Sequence, residues 1–124
     1  IIPSQKTDLE IVDFLMHYGD LYLGKETVLC KDTPAFIANR IGVYSILSTM
    51  HTVEKVGLSV GEVDSLTGPL IGRPKSATFR TMDVVGLDTT VNVANNLFGV
   101  LKQDEARDMF QLPGIMRELY DRKW

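Results

Sequence analysis

Residues 32–40 constrain the fold of this chain more than any other stretch, because they predict the start of a long helix. Thr33 is a good N-cap residue, and Pro34 suits the first helical position because its missing N–H would have no partner inside the helix. Apolar residues then recur at helical spacing: Phe36, Ile37, Ile41, Tyr44 and Leu47. The spacing predicts a helix that runs to about Val56 and closes at Gly57.

The rest of the chain after residue 33 also reads as helices separated by short loops. Ser59 and Glu62 have the spacing of a capping box, which predicts the start of a short helix. Ser76 is the predicted cap of a helix that stops at Gly86. Two further helices are predicted, at about residues 89–102 and 113–120. Residues 33–124 are therefore expected to form one helical domain.

The first 32 residues have a different pattern. Residues 1–3 read as the tail of a strand, and residues 26–30 are rich in β-forming side chains and predict a second strand. Thr7, at capping-box spacing from Glu10, predicts the start of a helix between them. A parallel sheet needs cover on both faces, so this strand–helix–strand unit is expected to be the last edge of a dinucleotide-binding domain. The chain begins with Ile1, which suggests that something was removed upstream.

The composition excludes several classes of function. The 124 residues are 44% hydrophobic and 23% charged, as in an ordinary soluble globular protein, and the net charge of -3 argues against a nucleic-acid partner. No apolar run approaches the roughly 20 residues that span a bilayer. The one cysteine, Cys30, cannot form an internal disulfide, which favours a reducing compartment. No group of side chains has metal-ligand spacing, so no metal site is expected.

Two blocks of sequence carry a resemblance to a known family. They are residues 32–40, Asp-Thr-Pro-Ala-Phe-Ile-Ala-Asn-Arg, and residues 72–90, which begin Gly-Arg-Pro-Lys-Ser-Ala-Thr-Phe-Arg. In this order they resemble the C-terminal domain of the NAD-dependent 3-hydroxyacyl-CoA dehydrogenases. The second block is closer to the bacterial long-chain or multifunctional type than to the short-chain form, which usually has a Pro-Met-Gly-Pro-like stretch here.

The resemblance implies a mainly α fold in two parts. Residues 1–32 would be the C-terminal edge of a truncated Rossmann domain. Residues 33–124 would be a helical dehydrogenase and dimerisation domain, like the C-terminal domain of 6-phosphogluconate dehydrogenase. NAD would be bound by the missing N-terminal domain, because the chain has no Gly-x-Gly-x-x-Gly turn for the pyrophosphate. The fragment by itself is therefore expected to be inactive.

The resemblance also implies where the chemistry lies. The family's general-base histidine and the glutamate that orients it would fall upstream of Ile1, and neither His17 nor His51 occupies the catalytic position. The family's active-site asparagine falls on Asn39, whose amide would donate to the 3-oxygen of the substrate. From the residues alone, Asn39 is either a satisfied buried amide or a group directed at a ligand.

Arg73, Lys75 and Arg80 form a basic group in and beside the second block. Arg73 and Lys75 are candidates for contact with the anionic part of coenzyme A or with the companion domain. The alternative interpretation is a solvated loop.

Two functions from different classes are consistent with the sequence. The first is the helical part of an enzyme that oxidises 3-hydroxyacyl-CoA to 3-ketoacyl-CoA in fatty-acid β-oxidation, acting as a homodimer in the bacterial cytoplasm. The second is a non-catalytic helical dimerisation or interaction module that kept the fold and lost the chemistry. The residues upstream of Ile1 would separate the two.

Overall fold

The computed structural model describes residues 1–122, so that Lys123 and Trp124, the last two residues of the predicted helical domain, lie outside the described part. Within it the chain forms six α-helices and two short 3₁₀ turns, and no strand is assigned. The prediction of a mainly helical fold is confirmed. The helices are α1 Leu9–Tyr22, α2 Ala38–Val56, α3 Val60–Thr67, α4 Phe79–Val85, α5 Leu87–Val100 and α6 Gly114–Asp121. The 3₁₀ turns are Pro69–Ile71 and Arg107–Phe110.

One buried apolar cluster holds α2 to α6 together. Helices α2 and α5 pack against each other, and both contact α6 and the turn Arg107–Phe110, while α4 packs on α3 and α5. The cluster consists of Leu47, Met50, Val53, Val63, Phe79, Met82, Val91, Ala94, Leu97, Phe110 and Met116. Burying each large side chain contributes about 1.5–3 kcal/mol. None of these residues comes from residues 1–32, where Val12 is buried outside the cluster.

The two predicted strands do not form regular strands. The amino group of Ile1 donates to the Val28 carbonyl at 2.7 Å, and the Cys30 N–H donates to the Ile1 carbonyl at 2.8 Å. These two bonds flank residue 29 as in a parallel pair. The pairing stops there because the first segment turns away: the Thr7 N–H donates to the Ser4 carbonyl at 3.1 Å. The strand prediction is therefore wrong in extent, although the two segments do pair.

The predicted start of α2 is also wrong. Ala35 and Phe36 have φ of 61° and 51°, a left-handed conformation that costs about 1–2 kcal/mol per non-glycine residue. A right-handed helix cannot pass through them, so α2 begins at Ala38 and Thr33 does not cap it. Thr33 instead closes a turn, since its carbonyl accepts the Phe36 N–H at 2.9 Å.

The other predicted caps have mixed outcomes. The capping box of Ser59 and Glu62 is confirmed, and Gly57 closes α2 as expected. Thr7 is not the cap of α1, because the Asp8 carboxylate accepts the Glu10 N–H and the Thr7 hydroxyl accepts from Ser4 instead. The prediction that Ser76 caps α4 is wrong, because the residue after it, Ala77, is left-handed with φ of 49°. As at the start of α2, the helix begins only after the left-handed residue, at Phe79.

Candidate functional site

Asn39 lies in the first turn of α2, and its side chain is exposed. Its amide makes no hydrogen bond within residues 1–122. Within residues 1–122, Asn39 is therefore not a satisfied buried amide. Its N–H and those of Ile37 and Ala38 also find no acceptor in this part of the chain, so the first turn leaves several donors free beside the amide.

The apolar face predicted for α2 is buried only in its second half. Leu47 and Met50 are 0% exposed, whereas the apolar residues on either side of Asn39 remain open to solvent. These exposed residues are Phe36, Ile37, Ile41 and Tyr44. Exposed apolar side chains grouped along one stretch, with polar donors among them, are typical of a surface that receives a ligand or another domain.

The starts of α2 and α4 share one backbone geometry. Phe36 and Ala77 are left-handed, with φ of 51° and 49°, and the residues that follow them have φ and ψ of -93° and -61° in one case and -93° and -60° in the other. In both helices the first turn is wide. The Arg40 N–H donates to the Ala35 carbonyl at 3.2 Å, five residues back, and an equivalent bond of 3.2 Å joins Thr81 to Ser76. Strained backbone of this kind clusters at functional sites.

The two helix starts differ in what caps them. At α4, Asp64 of α3 supplies the cap: its Oδ1 accepts the N–H groups of Thr78 at 3.2 Å and Phe79 at 2.7 Å, and its Oδ2 accepts that of Arg80 at 3.1 Å. At α2 no side chain of the described residues plays that part. The first turn of α2 is instead tied down by an ion pair between Arg40 and Asp104.

The predicted basic group does not act as one unit within the chain. Arg73 donates to the hydroxyl of Ser45, which lies about 9 Å along α2 and about 120° around its axis from Asn39. This contact packs the loop onto α2. Lys75 and Arg80 are exposed, and the side chain of neither has a hydrogen bond or ion pair within residues 1–122. Contact of Arg73 or Lys75 with coenzyme A therefore stays a prediction.

The two histidines lie away from Asn39 along the chain. His17 is exposed on α1. His51 Nε2 lies 3.0 Å from the Gln111 carbonyl, to which it donates in the Nε2–H tautomer, so this ring ties α2 to the segment before α6. In residues 1–122 no three His, Cys, Asp or Glu side chains lie together as they would to hold a metal ion. No helix of this part of the chain is both long and apolar enough to cross a membrane.

Sequence reasoning missed three features of this region: the Asp64 cap, the ion pair of Arg40 with Asp104, and the left-handed residues before each helix. The Asp64 cap joins residues 14–16 positions apart, and the ion pair joins residues 64 positions apart. No local sequence pattern predicts contacts of such separation. A signal for the third was available, because Pro34 is the second residue of the turn 33–36, Pro74 is the first of the turn 74–77, and proline favours turns.

The overall fold has a close match among solved structures. Over 99% of the chain, the fold matches (S)-3-hydroxybutyryl-CoA dehydrogenase from Ralstonia eutropha with a TM-score of 0.79 and 21% identity, covering 41% of that structure. At this level of identity the match shows the fold alone.

The sequence comparisons then give the family. The family model described as "3-hydroxyacyl-CoA dehydrogenase, C-terminal domain" matches residues 36–123. A probable 3-hydroxyacyl-CoA dehydrogenase of Bacillus subtilis is 52% identical over the whole chain, and one of Deinococcus radiodurans is 49% identical over 85% of it. The chain belongs to the 3-hydroxyacyl-CoA dehydrogenase family. It spans 16% and 30% of the lengths of these two relatives.

Proposed function

We propose that this chain supplies the helical half of an enzyme that oxidises 3-hydroxyacyl-CoA to 3-ketoacyl-CoA with NAD in fatty-acid β-oxidation. The observation that carries the proposal is Asn39: an exposed amide without a partner among residues 1–122, in the uncapped first turn of α2, between apolar side chains that remain 38–63% exposed. Membership of the family, and relatives named as probable 3-hydroxyacyl-CoA dehydrogenases, support it.

In this proposal Asn39 is a catalytic residue that donates its side-chain N–H to the 3-oxygen of the substrate. The bond strengthens as negative charge develops on that oxygen, and one such preorganised donor is worth about 10²- to 10³-fold in kcat. The position of Asn39 in the first turn adds the positive end of the helix dipole, which contributes about 0.3–1 kcal/mol. Since the amide has no partner among residues 1–122, binding the substrate breaks no hydrogen bond within this part of the chain.

The residues of this chain do not fit NAD. The helix that follows the first extended segment is α1, and a dinucleotide would place its pyrophosphate at such a helix N-terminus. The Asp8 carboxylate already occupies that position, 2.9 Å from the Glu10 N–H, and Glu10 adds a second negative charge in the same turn. We therefore assign NAD to a nucleotide-binding domain of the complete protein and expect the chain alone to be inactive.

The proposed division of the chain is residues 1–32 as the edge of that nucleotide-binding domain and residues 33–124 as the helical domain. Two observations support it. The buried cluster takes no residue from the first part, and α1 exposes most of its apolar side chains, including Leu9, Phe14 and Tyr22 at 79%, 63% and 76%. A helix that is apolar on several faces is expected to be covered by protein.

The proposal also covers the substrate, the oligomeric state and the location of the complete protein. Acyl-CoA is the proposed substrate because the chain belongs to this family. A homodimer is proposed because Leu70 and Val84, in the second half of the chain, are 76% and 78% exposed and suit a covered interface. A bacterial cytoplasmic location agrees with the single cysteine and with relatives from two bacteria.

The test is Asn39→Ala in the complete enzyme, with Asn95→Ala as the matched control. Asn95 is an exposed asparagine on α5 that also lacks a partner in the described chain. We expect Asn39→Ala to lower kcat about 10²- to 10³-fold while the melting temperature stays that of the parent, because the folded chain loses no contact. Asn95→Ala should leave both unchanged.

A kcat at saturating substrate that is the same for Asn39→Ala and the parent would remove Asn39 from the site. If the complete protein also showed no oxidation of any 3-hydroxyacyl-CoA, the non-catalytic interaction module would become the better description of this chain.

A further inference from the structure

We propose that the ion pair between Arg40 and Asp104 positions Asn39, so that both charged residues are positioning residues for the reaction. The inference rests on the proposed function, because it takes Asn39 as the catalytic donor. It adds two residues to which the sequence analysis gave no role, separated by 64 positions in the chain.

Asp104 is a fixed anchor. Its side chain is only 8% exposed, and its backbone is bonded on both sides: its N–H donates to the Leu101 carbonyl at 3.2 Å and its carbonyl accepts the Arg107 N–H at 3.1 Å. Its Oδ1 accepts the Ala106 N–H at 2.8 Å. This leaves Oδ2 for Arg40, so the carboxylate presents one oxygen in a defined direction.

The segment that carries Arg107 is itself held to α5. The Arg107 guanidinium lies 3.9 Å from the centre of the Phe98 ring, and its Nε donates to the Phe98 carbonyl at 2.9 Å. The anchor is therefore tied to the buried core through α5, which contributes Val91, Ala94 and Leu97 to it.

The start of α2 has little else to hold it. Among residues 36–42, Arg40 makes the one side-chain hydrogen bond or ion pair found within residues 1–122, and its side chain is 37% exposed. No side chain caps the helix, and the backbone before it passes through two left-handed residues. Ala35 and Val43, on either side of this turn, pack against the buried cluster, and the ion pair adds the polar contact that joins the turn itself to the rest of the described fold.

Arg40 directly follows Asn39 in the chain, so an ion pair that holds Arg40 in place also holds the Cα of Asn39. Successive side chains on a helix point about 100° apart. Arg40 can therefore reach inward to Asp104 while the Asn39 amide stays on the open side, as observed. A displacement of about 1 Å in such a donor can cost up to about 10²-fold in rate.

The experiment measures kcat and KM of the complete enzyme with Arg40→Met, Asp104→Asn and Arg40→Lys. We expect the first two to lower kcat about 10- to 100-fold with KM changed less than about threefold, and Arg40→Lys to recover part of the loss because it keeps the charge. Asp104→Asn still offers Oδ1 to the Ala106 N–H, so its loop should stay folded. Lys55→Met, which removes a positive charge from the last turn of the same helix, should leave kcat unchanged.

A double-mutant cycle separates positioning from general support of the fold. If Asp104 acts through Asn39, Asp104→Asn should lower kcat in the parent and have almost no further effect in Asn39→Ala. Hydrogen exchange of a peptide covering residues 33–44 should be faster in Asp104→Asn than in the parent and unchanged in Lys55→Met, whether or not substrate is present.

The same fold loss of kcat in both backgrounds would overturn the proposal, as would no loss in either or unchanged exchange of the peptide. Failure of the proposed function has a different result: Asn39→Ala alone would then leave kcat unaltered. If Asn39→Ala lowers kcat, and Asp104→Asn lowers it by the same factor with or without Asn39→Ala, the proposed function would stand. Arg40 and Asp104 would then have no positioning role.

Discussion

Replacing Asp64 with alanine tests the claim that a carboxylate from one helix fixes the start of another. Asp64 on α3 accepts three consecutive N–H groups of the α4 start, at 3.2, 2.7 and 3.1 Å. Loss of an ordinary N-cap costs about 0.5–2 kcal/mol, and three donors losing a charged acceptor place this one at the upper end, about 2 kcal/mol. Asp64, Phe79 and Arg80 line an open groove of about 360 Å³, so water can reach the freed donors on that side and limit the cost.

The assay is urea unfolding of the 124-residue chain, followed by far-UV circular dichroism, together with thermal melting. A loss of about 2 kcal/mol lowers the melting temperature by about 6–10 °C for a domain of this size, and it lowers the urea midpoint by about 1 M with an unchanged slope. Asp64→Asn should cost about half as much, since its remaining oxygen still accepts from Thr78 and Phe79.

Asp83→Ala is the control, because Asp83 is an exposed carboxylate on α4 without a partner among residues 1–122. It should change stability by less than about 0.5 kcal/mol. Equal midpoints for Asp64→Ala and Asp83→Ala would refute the reasoning, because the three hydrogen bonds would then contribute nothing to folding.

Two further predictions concern the core and the capping box. Leu97 is 1% exposed, so Leu97→Ala should lower the free energy of unfolding, measured with urea, by about 2–5 kcal/mol. Val100 lies on the same helix and is 49% exposed, so Val100→Ala should lower it far less. Similar losses for the two variants would contradict the packing described above. Hydrogen bonds from the Ser59 hydroxyl and then its N–H lower the pKa of Glu62 below its ordinary value of 4.5. A lowered pKa in the folded state means that the charged carboxylate stabilises the fold above pH 4.5 and loses that effect as the pH falls through the folded pKa. The parent should therefore have a higher free energy of unfolding than Glu62→Gln at pH 7 and lose this difference in strong acid. A difference that is the same at every pH would show that the charge of Glu62 is not its cause.

The sequence was most informative where structure depends on near neighbours. Gly57 marks the end of α2, and the spacing of Ser59 and Glu62 marks the start of α3, because both depend on contacts within one or two helical turns. The two blocks around Asn39 and Arg73 pointed to the family, which the comparisons confirm. Asn39 itself remains a proposal, supported by its exposure and lack of a partner.

Tertiary structure decided what the sequence left open. Thr33 and Ser76 have good capping chemistry, but left-handed residues follow each of them, and the fold starts both helices later. The cap of α4 comes from Asp64 and the anchor of α2 from Asp104, each distant along the chain. Local propensities are weak, on the order of a kcal/mol, so contacts made only after packing override them. The same limit applies to the apolar side of α2: the sequence shows that Ile41 and Leu47 share a helix, and only the fold shows that the first is exposed and the second buried.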